Sequence, residues 1–151
     1  MKPSNKSDIL FYADNEYRFS VRCCVFLKNE KGDFLVQKKK SDDLDSWALL
    51  GGKLKIGEKT INCVIREIRE EFGVNTFNHH FLGVIEQDLF ISDQRIHEHN
   101  YIYSAAFLGD IILHDETLEW KWLSMCEIHT IKPKNCSLLL NNTSSMISNG
   151  F

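Results

Sequence analysis

Glu67, Glu70 and Glu71 stand at i, i+3 and i+4, a spacing that puts three carboxylates on one face if the segment is helical. Like charges so placed repel by roughly 0.2 to 0.5 kcal/mol per pair, so stability alone would separate them or intersperse lysines. A bound cation removes the conflict. Hard divalent ions such as Mg2+ take oxygen ligands, keep several waters, and are held by a few carboxylates together with substrate phosphates. Glu58 lies just before the segment and could reach the same place, although an acid at a helix start is also favoured by the backbone dipole alone. Ahead of it run Gly51, Gly52 and Gly57, which read as a glycine-rich turn that lets main chain come close to metal or phosphate.

The elements that must position these acids can be read on either side. From Lys59 to Phe72, the residues Ile61, Val64, Ile65, Ile68 and Phe72 recur at helical spacing, which predicts a helix buried on one side and acidic on the other. Gly73 is placed to end it in a left-handed conformation. Ser20 to Leu27 is rich in β-formers and apolar on both faces after Arg22, as a central strand would be. Phe34 to Gln37 reads as its hairpin partner across Asn29–Asp33. Phe81–Glu86 and Asn100–Leu108 read as two strands joined across Asp93-Gln94-Arg95, with His97-Glu98-His99 between them. Glu119–Leu123 reads as a late strand, followed by short helices at Met125–His129 and Lys134–Asn141. Ile9–Tyr12 is either a short edge strand or an aromatic segment that covers a pocket or pairs with another subunit. The tail from Asn142 to Phe151 is rich in Ser and Asn, without periodicity, and is expected to be loosely held.

Gly52, Glu58 and Arg66-Glu67-Ile68-Arg69-Glu70-Glu71-Phe72-Gly73-Val74 match the Nudix box, GX5EX7REUXEEXGU, at all nine specified positions. The chain thus resembles the Nudix hydrolase family. The resemblance implies an α+β fold, an α/β/α sandwich around a mixed sheet with the box as loop-helix-loop. It implies one domain over residues 1–151, with a compact core at about 18–141. It also implies Mg2+, with Mn2+ as a substitute, held by Glu67, Glu70 and Glu71, with Glu58 bound directly or through water and Gly52 at the cluster. Arg66 would orient a box carboxylate by a bidentate ion pair, a role suited to its planar fork. Glu98 would be a further metal ligand or the general base, with Glu86 a weaker competitor for that role. Trp47 resembles the family's W-x-x-P-G-G, although Leu50 stands where proline is usual.

The reaction implied is hydrolysis of a phosphoanhydride in a nucleoside diphosphate derivative, releasing a nucleoside monophosphate. Arg22, Lys38 and Tyr101 are the candidate substrate contacts. Lys38 opens a Lys38-Lys39-Lys40 run that could offset phosphate charge, or simply be a solvated loop. Tyr101, like Phe19, Phe26 and Tyr103, could stack on a base, or be core. ADP-ribose hydrolases of the family tend to carry a proline about fifteen residues past the box, and dinucleoside-polyphosphate hydrolases a tyrosine slightly further on. Gln87–Ser92 has neither, which leaves a nucleoside triphosphate or NDP-sugar type ahead. A nucleotide-sensing module and an RNA 5'-end pyrophosphohydrolase are the competing readings.

Composition narrows the partners. With 18 basic and 21 acidic residues and a net charge of -3, the chain has no broad basic surface for DNA or an anionic membrane. A small nucleotide is the expected partner, with a homodimer through the aromatic N-terminal segment left open. No apolar run approaches bilayer length, and the polar start Met1–Asp8 leads into no signal region, so a cytoplasmic protein is expected. Five cysteines without CxxC spacing read as reduced, mostly buried thiols. His97 and His99 lack an evident third ligand for zinc.

Overall fold

A computed structural model describes residues 6–141 and 144–151. The polar start read over Met1–Asp8 therefore lies largely outside the described residues, as do Asn142 and Thr143 of the tail. One eight-stranded sheet runs through β1 (Leu10–Ala13), β2 (Tyr17–Leu27), β3 (Phe34–Lys39), β4 (Ala48–Lys53), β5 (Asn75–Ile91), β6 (Gln94–Leu108), β7 (Leu118–Leu123) and β8 (Met146–Asn149). The strand order is β7-β3-β4-β2-β6-β5-β8, with β1 on the first half of β2. The pairs β2/β6 and β5/β8 are parallel and the others antiparallel, so the sheet is mixed.

Side chains alternate across the strands and build two cores. Cys23, Val25 and Leu27 face helix α1 (Thr60–Phe72), which buries Cys63, Val64, Ile68 and Phe72 against them. Cys24 and Phe26 face the other way, toward Ile128, Ile131, Cys136 and Leu139. The helix ends as its sequence predicts. Gly73 takes φ 70° and its N–H donates to the Arg69 carbonyl at 3.0 Å.

The helical layer opposite α1 is made of two 3-10 segments, Met125–Thr130 and Cys136–Asn141, where the sequence suggests short helices. Each has six residues, shorter than an α-helix that is stable by itself, and 3-10 turns are frequent as short connectors. Ile9–Tyr12 contributes an edge strand, the plainer of its two readings.

Two expectations change with larger consequences. The β5/β6 hairpin turns at Ser92 and Asp93, both left-handed with φ 49° and 62°, so Gln94 and Arg95 already belong to β6. His97-Glu98-His99 is therefore in the body of a strand. The tail also supplies β8: Met146 to Asn149 pair with Val84 to Gln87, and Asn149 is buried. Pairing with β5 imposes that strand on a segment with no period of its own.

Candidate active site

Gly51 and Gly52 lie in β4, extended and paired with Cys24 and Cys23, rather than in a turn. Their small size is required for space. A Cβ on Gly51 would overlap the Cys23 carbonyl oxygen, and one on Gly52 would overlap the Glu67 carboxylate. The turn falls later, at Gly57, whose φ of 77° favours glycine.

Arg66 organises the acids around that strand. Its Nε and Nη2 donate to the two oxygens of Glu58 at 2.7 and 2.9 Å. Nη2 also donates to the Lys53 carbonyl at 3.2 Å. Nη1 donates to Glu67 Oε1 at 2.8 Å and to Glu70 Oε2 at 3.3 Å. All five guanidinium hydrogens thus meet oxygen, which a lysine could not reproduce. The bond to Arg66 holds Glu58 below the usual carboxylate range, with burial opposing, and Glu58 in turn raises Arg66.

The remaining acids have less compensation. Burial pushes Glu67 up, against the pull of Arg66. Glu71 is pushed up to about 8, first by burial and then by the charge of Glu67. Its Oε2 is buried and has no hydrogen-bond partner among the described residues. Glu70 is the exposed member of the set.

Arg22 and Glu98 approach from the neighbouring strands. Burial would lower Arg22, but Cys24, Glu98, Glu67 and Glu71 together raise it, so its charge is shared between the box and β6. Arg22, Gln87, Glu98 and Asn100 help line a cleft of about 220 Å³. Glu98 Oε1 accepts from Gln87 Nε2 at 2.6 Å and from Asn100 Nδ2 at 3.3 Å. Glu86 instead accepts from the Ser148 hydroxyl at 2.7 Å. A larger groove of about 770 Å³ lies between Lys28, Phe107 and Trp122 and contains none of these groups.

The structure therefore brings together Arg22, Gly52, Glu58, Arg66, Glu67, Glu70, Glu71 and Glu98. Lys38 lies apart from them, and Tyr101 makes no hydrogen bond with any of them among the described residues. Lys38 is buried, forms an ion pair with Glu119 at 3.0 Å and lies 5.6 Å from the Trp47 ring centre. Tyr101 packs with the α1 core beside Phe81, on the face of β6 opposite Glu98. The other aromatic candidates are also packed: Phe26 is fully buried against Phe34, Tyr103 meets the Thr60 hydroxyl, and Phe19 lies edge-on to His97 and His99. Gln87, Asn100 and Asn149 were missed by the sequence reading. Counting outward from a turn at Ser92–Asp93 would have put Gln87 opposite Glu98, but no local signal marks Asn149.

Among the described residues no three His, Cys, Asp or Glu side chains stand together as a finished metal cage. The donor set nevertheless fits Mg2+, which asks for one or two carboxylates and fills its shell with water and phosphate. Glu71 offers a buried, unpartnered oxygen, and the absence of a side chain at Gly52 lets the Glu67 carboxylate lie directly against the β4 backbone.

The chain is similar to known proteins in sequence and in fold. The chain is 30% identical over 102 residues to a Bacillus subtilis (strain 168) protein described as a proposed 8-oxo-dGTP diphosphatase, an alignment covering 66% of this chain and 63% of that protein. The chain thus spans less than two thirds of that relative's length. In fold it is similar to a MutT NUDIX hydrolase from Burkholderia pseudomallei, with TM-score 0.66, 22% identity, and coverage of 83% of this chain and 98% of that one. It is also similar to a mutator MutT protein from Bacillus halodurans, with TM-score 0.64, 17% identity and 85% coverage of each chain. The family model of the NUDIX domain matches residues 17–138, nearly all of the sheet and the whole of the acidic helix, and the chain belongs to the Nudix family.

Proposed function

We propose that this protein is a Mg2+-dependent pyrophosphohydrolase acting on small nucleoside diphosphate derivatives, of the NTP, dNTP or NDP-sugar type, and releasing a nucleoside monophosphate. The observation that carries this reading is the intact acid set, with Arg66 engaging Glu58, Glu67 and Glu70 while Glu71 keeps a buried oxygen without a partner. A protein that retained the fold for stability alone would gain nothing from an uncompensated buried carboxylate.

Glu67, Glu70 and Glu71 would hold the cation, with Glu58 held behind them by Arg66. When bound, a divalent cation neutralises phosphoryl charge and makes coordinated water a stronger nucleophile near neutral pH. The chain's own groups do the rest. Arg22 supplies a fixed positive charge between Glu98 and the box, where an anionic phosphate chain would otherwise meet only acid. Glu98, with only Oε1 engaged by amide donors, is the group available to accept a proton from water. No helix among the described residues is long and apolar enough to cross a membrane.

The name of the Bacillus subtilis relative makes an oxidised purine dNTP the first substrate to try. The test is a panel of NTPs, dNTPs, oxidised dNTPs, NDP-sugars and dinucleotides, with products identified and chelator as control. Glu70→Gln should cut turnover by on the order of a hundredfold, because weakening a cation site removes several kcal/mol of transition-state stabilisation. Unchanged turnover in that variant would remove Glu70 from the cation site, and absence of hydrolysis by the wild type would sink the hydrolase reading. Tight nucleotide binding without hydrolysis across the panel would point instead to a sensing module, and a marked preference for RNA 5' ends to a polymer substrate.

A further inference from the structure

We propose that Asn149, in the C-terminal strand, is a positioning residue for Glu98 and acts on it through Gln87. This rests on the hydrolase reading of Glu98 given above. The residues come from three strands. Asn149 is the register partner of Gln87 across β8/β5, and Gln87 is the register partner of Glu98 across β5/β6. Both amides are sheltered, with Gln87 at 4% and Asn149 at 9% exposure.

The direction of the chain follows from its ends. Asn149 Nδ2 lies 2.9 Å from the Lys134 carbonyl oxygen, which can only accept, so the NH2 side of the Asn149 amide must face that way. The same nitrogen lies 3.4 Å from Gln87 Oε1, and the two amide hydrogens serve the two oxygens. With its oxygen occupied, Gln87 presents Nε2 to Glu98, at 2.6 Å. The carboxylate at the far end also only accepts, so both ends require the same polarity. Asn135 Nδ2 meets the remaining Asn149 oxygen at 3.4 Å and agrees with it. Asn100 donates to the same Glu98 oxygen as Gln87. Two donors on Oε1 restrain the carboxylate while neither falls on Oε2. An amide between two acceptors cannot turn over without facing an oxygen with an oxygen, and buried networks of this kind hold their members more firmly than single bonds do.

A strand anchor and a positioning residue respond differently to two substitutions. Asn149→Asp keeps the size and the oxygen that Asn135 meets, but it replaces the donor with an acceptor. Gln87 then satisfies the new carboxylate by turning its amide, which puts its own oxygen against Glu98. Asn149→Ala removes the side chain altogether but leaves Gln87 free to keep donating to Glu98. If Asn149 only anchors β8, both changes lose the bond to the Lys134 carbonyl and lower stability, Asp the more because it also buries a charge, and neither turns the Gln87 amide. If it sets the polarity of the chain, Asp alone turns Gln87 and lowers kcat in the folded enzyme.

The experiment measures kcat and KM with Mg2+ on the best substrate of the panel, for wild type, Asn149→Asp, Asn149→Ala and Gln87→Met. We expect kcat to fall by roughly tenfold in Asn149→Asp and Gln87→Met and by less than about threefold in Asn149→Ala, with KM within about twofold throughout. Gln87→Met keeps the sequence of β8 and the Asn149 bond to the Lys134 carbonyl, and it carries the test if Asn149→Asp does not fold. Equal or greater loss in Asn149→Ala, or wild-type kcat in Gln87→Met, overturns the proposal. The side-chain amide 1H–15N signals of Gln87 supply a readout that needs no turnover. They should move in Asn149→Asp and in Glu98→Ala and stay near wild type in Asn149→Ala. Signals unchanged in Asn149→Asp overturn the chain whatever the activity, whereas the expected shifts without any hydrolysis keep the chain and reject the hydrolase reading.

Discussion

Glu67 and Glu98 are both partly sheltered carboxylates in one site, yet their partners come from different distances along the chain. Glu67 is held by Arg66, the adjacent residue, which also takes Glu58 and Glu70 from within one loop-helix unit. Glu98 is held by Gln87 and Asn100, with Asn149 behind, on strands that meet only after folding. The first arrangement uses a full positive charge and the second uses neutral amides. One guanidinium serves three carboxylates and does not reach Glu71, whose Oε2 has no hydrogen-bond partner among the described residues. The amide chain supplies no charge, and what it contributes is direction. An ion-rich site can await a cation, whereas a hydrogen-bonded carboxylate can be aimed before any ligand arrives.

The contrast can be broken most severely at Gly52. Gly52→Ala puts a methyl group where the Glu67 carboxylate lies, and displacement of that acid should lower kcat/KM by about a hundredfold in steady-state assays. Near-wild-type rates would mean that the position of Glu67 does not matter. Arg66→Lys is the next test, because one ammonium cannot span Glu58, Glu67, Glu70 and the Lys53 carbonyl together. A loss of about tenfold or more in turnover and roughly 1 to 3 kcal/mol in chemical denaturation is expected. A variant that keeps both would show that the fork geometry is dispensable.

Glu71 sharpens the difference through pH. Its folded-state value of about 8 lies above the ordinary 4.5, so the folded protein holds this proton more tightly than the unfolded chain does. Metal-free stability contributed by this group is therefore greatest below about pH 4.5 and declines as pH rises toward about 8. Glu71→Gln should raise the melting temperature in chelator by a few degrees at pH 8 and hardly at all near pH 5. Equal melting of the two proteins at pH 8 would contradict the uncompensated burial of this carboxylate. The smallest effect is expected outside the site. Lys38→Met breaks the pair with Glu119 and should cost about 1 kcal/mol or less, with turnover within about twofold of wild type. A large loss of turnover there would move Lys38 back toward the substrate.

The box and its helix were legible because their information is local. The apolar stripe Ile61, Val64, Ile65, Ile68 and Phe72 implies a helix, and the helix puts Glu67, Glu70 and Glu71 side by side. The strands were legible in type but not in extent or pairing: Phe34–Gln37, read as the hairpin partner of Ser20–Leu27, pairs instead with β4 and β7, with β4 between it and β2. β5 begins six residues before the segment read as strand, and the β5/β6 turn falls earlier than expected, because pairing with a neighbour extends a strand past its own alternation. Lys38 shows the complementary error. A run of three lysines suggests a solvated or phosphate-facing loop, but strand alternation turns Lys38 inward to Glu119 while Lys39 and Lys40 remain exposed.

By itself the sequence determined the acidic helix, its glycine-lined approach and the family to which the chain belongs, since all of these are set by spacings within 23 residues, 52 to 74. Only the tertiary structure decided which polar residues complete the site. Glu98 gains Gln87 through one hairpin register and Asn149 through a parallel pairing with the end of the chain. Such registers depend on contacts between segments far apart in sequence, and a short polar strand carries no periodicity by which they could be foreseen.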